Sequence, residues 1–292
     1  MAEAIYRDFR DRDSLYAQYD NRSMIAAEAL DAIKARQARR SDACRADAGR
    51  SALDLAYGAH ERERLDLFLP AADGAPLLAF IHGGYWQWND KEPFAFLGEQ
   101  LVPAGAAFAN IEYALCPSVT LTELTRQIRR AVAYLWREAK RFGYDRERIV
   151  VSGHSAGGHL TAMAMATDWP AFGDDLPARV VAAGLPISGV YDIEPLRHTP
   201  LNDAVRMDEA EARALSPILL QPATDAPMAV VAGGEESDEF RRQARDFAAV
   251  WGKAGVEAEV LIVPGTDHFT VLDTLAEPGH PTLAAAKRLL GI

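Results

Sequence analysis

Apolar residues fall along this chain in short unbroken runs, separated by longer stretches in which apolar and charged positions alternate with helical spacing. The runs LDLFLP (65–70), PLLAFIHGG (76–84), GAAFANIEYAL (105–115), RIVVSG (148–153), VVAAGLPISGVYD (180–192), PMAVVAGG (227–234) and AEVLIVPG (258–265) each predict a strand. Asp73-Gly74 supplies a turn between the first two. From about Thr122 to Phe142, Ile128, Val132, Leu135 and Trp136 repeat at helical spacing, and basic residues from Arg126 to Arg141 fill the other face. GGHLTAMAMAT, after Ser155, is apolar on nearly every side and predicts a helix packed inside the protein. Further helices are expected between the last two strands and at 281–290, and an Ala-rich, charged one over residues 22–48 on the outside of the domain. Residues 193–225, rich in proline and charge, predict a small cap-like insertion over the sheet.

Strands alternating with helices imply an α/β fold with a mostly parallel central sheet and helices on both faces. A chain of 292 residues fits one such domain over 1–292, with an N-terminal helical segment covering about 1–50. In these sheets the reactive groups gather beyond the carboxyl ends of the strands, so the candidate chemistry is sought there.

Composition narrows the partners. The net charge is −11, from 31 basic and 42 acidic residues, which argues against nucleic-acid backbones and anionic membranes. No apolar run approaches the roughly 18 residues that would span a bilayer. The charged start MAEAIYRDFRDRDSLYAQYD lacks a secretory h-region, so a cytoplasmic location is expected. Cys44 and Cys116, without metal-type spacing, read as reduced thiols. The expected partner is a small-molecule substrate, and a homodimer is compatible with the sequence.

Gly153-His154-Ser155-Ala156-Gly157 has the form G-x-S-x-G and sits where a strand ends and a helix begins. That placement puts a serine on a sharp, strained turn with its oxygen exposed and a helix N-terminus behind it, the nucleophile elbow of an α/β-hydrolase fold. Alone, the five residues could be a structural Gly/Ser turn; the apolar strand before and the apolar helix after favour the elbow. Upstream, His82-Gly83-Gly84 ends another strand. A tetrahedral intermediate needs preorganised N–H donors, and the backbone N–H groups of Gly83, Gly84 and Ala156 are the expected oxyanion hole. Tyr85 and Trp86 are expected to flank the cleft as substrate contacts, although either suits ordinary core equally well, and His154 is placed with them. Of seven histidines, His268 follows a strand close to the C-terminus, where this fold delivers its base. His60, His198 and His280 lie in loops, while His154 and His159 flank the nucleophile itself.

The orienting acid should follow PMAVVAGG, where Glu235, Glu236, Asp238 and Glu239 crowd together. A tight turn after Gly233 favours Glu236, and Asp238 is the competitor. The roles are then His268 deprotonating Ser155, Glu236 accepting the imidazole N–H, and three amides holding the oxyanion. No metal and no organic cofactor is required.

Together, HGGYW (82–86), GHSAGGHL (153–160), SGVYDIEPL (188–196) and DHF (267–269) resemble the kynurenine formamidases of the α/β-hydrolase type. LYAQYDNR (15–22) and EFRRQ (239–243) resemble that family too, so the likeness spans nearly the whole chain. It implies hydrolysis of N-formyl-L-kynurenine to formate and kynurenine in tryptophan breakdown, with Ser155 as nucleophile and His268 as base. The family pattern G-x-x-D-S-x-E-F carries Asp where this chain has Glu236. HGG and G-x-S-x-G also occur in carboxylesterases for small acyl esters, which is the second expectation. A binding module that has lost catalysis is the third, disfavoured because all three triad roles are filled.

Overall fold

The computed structural model describes residues 4–47 and 49–292. Among the described residues, eight strands form one sheet in the order β1-β2-β4-β3-β5-β6-β7-β8. They are β1 (Ser51–Ala56), β2 (Arg64–Phe68), β3 (Ala75–Ile81), β4 (Ala107–Ile111), β5 (Tyr144–His154), β6 (Ala183–Ile187), β7 (Met228–Gly233) and β8 (Ala258–Val263). β1–β2 and β2–β4 pair antiparallel, and every later pairing is parallel. Strands β3, β4, β6 and β7 are buried along their whole length, which explains why they read as continuous apolar runs instead of alternating ones.

Helices α1 (Arg12–Ala17) and α2 (Ala27–Ala46) precede the sheet, and α3 (Leu121–Phe142) and α4 (Ala156–Met165) flank β5. The short helices α5 (Trp169–Phe172), α6 (Asn202–Val205) and α7 (Glu209–Ala214) follow, then α8 (Asp238–Lys253) and α9 (Pro281–Leu290). α3 starts on Thr120, whose hydroxyl accepts from the Glu123 N–H at 3.1 Å, a cap worth about 1 kcal/mol. It stops at Gly143, whose φ of 81° ends the helical path. α4 is buried at all ten positions, as its uniform apolarity predicts.

Two elements depart from the expected picture. β1 has the exposed pattern of an edge strand, and SALDLA carries too weak an apolar signal to be seen in the sequence. Within the segment 22–48, residues 27–46 form α2 as expected, residue 48 lying outside the described residues, yet this helix does more than coat the outside. Its inner face is Leu30, Ile33, Gln37 and Ser41, half of it polar. Gln37 donates to Asp273 (3.0 Å), Ser41 Oγ accepts from the Phe96 N–H (3.1 Å), and Arg36, Arg40 and Arg45 pair with Asp273, Glu99 and Asp66. Polar docking of this kind leaves no apolar periodicity. Residues 193–225 fold into short helical turns, with His159 Nε2 donating to the Leu215 carbonyl (2.7 Å) and Gln87 to the Leu201 carbonyl (2.9 Å). Among the described residues no helix is long and apolar enough to cross a membrane.

Candidate active site

Ser155 lies between β5 and α4 with φ 57° and ψ −117°, a conformation that costs a non-glycine residue about 1–3 kcal/mol. The surroundings hold it there. Its N–H donates to the Ile187 carbonyl at 2.9 Å, continuing the β5–β6 ladder past the strand end, and its own carbonyl accepts from His159 N–H in the first turn of α4. The flanking glycines are a matter of space. A Cβ on Gly157 would stand 1.9 Å from the Ile81 carbonyl oxygen, and one on Gly153 would stand 2.3 Å from the Gly157 carbonyl oxygen. Only hydrogen fits at either position, so G-x-S-x-G is the pattern that lets β5, α4 and the end of β3 converge on one point.

The HGG segment leaves β3 against this elbow. A Cβ on Gly83 would meet the His154 carbonyl oxygen at 2.7 Å and the Ser155 Cβ at 2.9 Å. Gly84 has φ 118°, and Tyr85 and Trp86 follow at 46° and 60°, a run of left-handed residues that turns the backbone sharply. Among the described residues, no protein acceptor engages the N–H of Gly83, Gly84 or Ala156, whereas the Gly83 carbonyl is occupied by Asn89 Nδ2 (3.1 Å) and His82 Nδ1 (2.8 Å). Fixing the carbonyl fixes which way the peptide planes face.

The anchor beneath is Glu112. It accepts from Arg62 (2.6 Å), the Lys91 N–H (2.7 Å) and the Tyr113 N–H (3.0 Å), and lies 3.0 Å from His82 Nε2. Burial raises its pKa, but His82, Arg62 and the Lys91 N–H outweigh that and hold it below the usual carboxylate range. Tyr113 stacks on the His82 ring (4.2 Å) and donates to the His82 carbonyl (2.8 Å). Sequence reasoning did not single out Glu112, because a carboxylate after a buried strand has no local signature.

His268 follows β8, and its Nδ1 lies 3.4 Å from Glu236 Oε2, both side chains being buried. The turn after β7 presents that carboxylate. Glu236 Oε1 accepts the Gly233 N–H at 2.8 Å and a short hydrogen bond from the Ser188 hydroxyl, leaving Oε2 for the imidazole. Asp238, the competing acid, lies 88% exposed at the first turn of α8 and pairs with Arg241. Ser188 was visible in the sequence only as part of SGVYDIEPL; its hydroxyl on Glu236 is a structural finding. His154 Nε2 donates to the His268 carbonyl at 2.7 Å, and the rings lie 4.7 Å apart. Burial and the neighbouring His268 push the His154 pKa well down, so it holds that carbonyl as a neutral imidazole.

Ser155, His268, His154, Gly84 and Tyr85 open onto one cavity of about 520 Å³. Trp86 does not line it. The indole is fully buried at right angles to His159, 5.1 Å away, with no hydrogen-bond partner for Nε1 among the described residues. Its left-handed backbone turns Trp86 into the core while Tyr85 faces the cleft and donates to the Tyr19 carbonyl (2.6 Å). Residues between 16 and 38 supply much of the remaining wall, whereas Leu201 is what the 193–225 segment contributes. Tyr19, donating to Glu239 (2.9 Å) and accepting from Gln243 (3.0 Å), ties that wall to α8.

Known proteins are similar to this chain in sequence and in fold. The BD-FAE family profile matches residues 65–248. A kynurenine formamidase of Danio rerio is 30% identical over 246 residues, 82% of each chain. A crystal structure from Silicibacter sp., provisionally described as a thioesterase, is 33% identical and superposes with a TM-score of 0.80 over 93% of this chain and 97% of its own. The esterase of Pyrobaculum calidifontis shares the fold at 17% identity, TM-score 0.70, with 96% of each chain covered. The chain belongs to the BD-FAE family of α/β-hydrolases, in its kynurenine formamidase-like branch.

Proposed function

We propose that this protein is a serine hydrolase that cleaves an aromatic formamide, N-formyl-L-kynurenine, to formate and the free amine. The observation that carries the reading is His268, backed by Glu236, lining the same cavity as a serine held in a strained elbow. His268 takes the Ser155 hydroxyl proton as Oγ attacks the formyl carbon, and Glu236 holds the imidazole and balances its charge. The N–H groups of Gly83, Gly84 and Ala156 receive the developing oxyanion. Collapse breaks the C–N bond, and His268 passes its proton to the departing nitrogen. Water, deprotonated by the same imidazole, then attacks the formyl ester on Ser155 and releases formate.

An aromatic substrate is favoured by the cavity lining, which includes Tyr16, Tyr19, Tyr85, Trp88, Phe94 and Phe269. The relatives named kynurenine formamidase support the formamide, and the esterase neighbours support the second reading, a carboxylesterase for small acyl esters. Glu236 accepts an imidazole N–H as Asp does, so the departure from the family pattern bears on substrate more than on mechanism. Turnover of N-formylkynurenine measured beside 4-nitrophenyl acetate separates the two readings. Formate release that disappears in Ser155→Ala is expected; ester hydrolysis alone would overturn the formamide.

A further inference from the structure

The cavity that Ser155 and His268 line also carries charge that the proposed reaction does not use. Arg22 lies there with its guanidinium 4.6 Å over the Trp88 ring, and Lys34, exposed on α2 one turn before Gln37 and Ala38, lines the same cavity. Neither has a carboxylate within ion-pair distance among the described residues, in a chain whose net charge is −11. On α2, Arg36, Arg40 and Arg45 each pair with an acid, whereas among the described residues Lys34 and Arg39 do not, and of those two it is Lys34 that lines the cavity. Among the described residues Asp20 is the one carboxylate lining this cavity, so the lining is net positive where the molecule as a whole is strongly negative.

We propose that Arg22 and Lys34 form a carboxylate subsite, and that the substrates are aromatic amides or esters bearing a carboxylate on the leaving-group side. This rests on the serine-hydrolase reading and adds a specificity element to it. An aromatic leaving group lies along the tyrosine-lined wall, and its carboxylate reaches the two cations at the mouth, where the guanidinium is already oriented by Trp88. Interaction with the anion holds substrate and transition state alike, so it acts on KM more than on kcat.

The test compares four compounds: N-formylkynurenine and its carboxamide, and an aryl acetate with a carboxylate side chain and its carboxamide. The ratio of kcat/KM for acid over carboxamide is expected to be about tenfold or more. It should fall about tenfold in an Arg22→Gln/Lys34→Gln variant, mainly through KM, and decline as salt is raised. A variant that folds poorly lowers both members of a pair and leaves the ratio alone. Ratios near one in the native protein, or unchanged in the variant, would overturn the subsite even if both formamides are cleaved. Acid preference among the acetates with no formamide turnover would leave the subsite standing and remove the formamide.

Discussion

Ser188 and Glu236 bind at the level of single atoms, and what they do there was only half readable beforehand. The turn after β7 favours Glu236 over Asp238, and in the structure it is Glu236 whose Oε2 lies 3.4 Å from His268 Nδ1, while Asp238 is exposed and pairs with Arg241. The Ser188 hydroxyl could not be anticipated, because it comes from the end of β6, 48 positions away in sequence. With Ser188 and the Gly233 N–H both on Oε1, Glu236 has one oxygen left and one direction in which to offer it. Removing the hydroxyl in Ser188→Ala frees the carboxylate to rotate, and kcat should drop by roughly tenfold with KM little changed. Glu236→Gln should cost about a hundredfold to ten-thousandfold in kcat, since the amide presents the wrong partner to the imidazole. Asp238→Asn, at an exposed position outside the cavity, should stay within about twofold of the native rate. Steady-state kinetics on the three variants checks the set. Trp86 shows the opposite limit of sequence reading: adjacent aromatic residues after HGG look alike, and only the left-handed backbone sends one into the cleft and the other into the core.

Among the elements, the strands and the elbow helix were legible because burial on both faces leaves continuous apolar runs. The elbow glycines translate directly into space. Gly157→Ala would drive a methyl into the Ile81 carbonyl, separating β3 from α4, and the protein should be recovered unfolded or with a melting temperature lowered by several degrees. Circular dichroism on the purified variant checks this. α2 was legible as a helix but not as a wall of the site, because it docks through Gln37, Ser41 and arginine–carboxylate pairs. Partly buried pairs such as Arg36–Asp273 are costly to break from one side, since the buried Asp273 is left uncompensated. Asp273→Ala should therefore loosen α2 and raise KM for aromatic substrates more than it lowers kcat.

Over the whole molecule, two buried histidines make stability depend on pH. Burial pushes His159 down to about 4, and His154 is pushed well down by burial and by His268. In the unfolded chain both would protonate near 6.5, so the unfolded state binds more protons below that value and acid favours unfolding. The stability that neutral His159 supplies is complete above about pH 6.5 and is lost as pH falls toward 4, amounting to about 3 kcal/mol for this group. Urea unfolding at pH 7 and pH 4.5 should show that loss, and His159→Gln should flatten part of it. No apolar pattern announced this, since His159 looks from the sequence like any residue of an Ala-rich helix.

The central claim is that Ser155 carries the acyl group. Reaction with an aryl phosphonate, followed by peptide mass spectrometry, measures it directly. One equivalent of label on Ser155, with labelling lost in Ser155→Ala and strongly slowed in His268→Ala, is the expected result. Label on another residue, or turnover that survives Ser155→Ala, would contradict it.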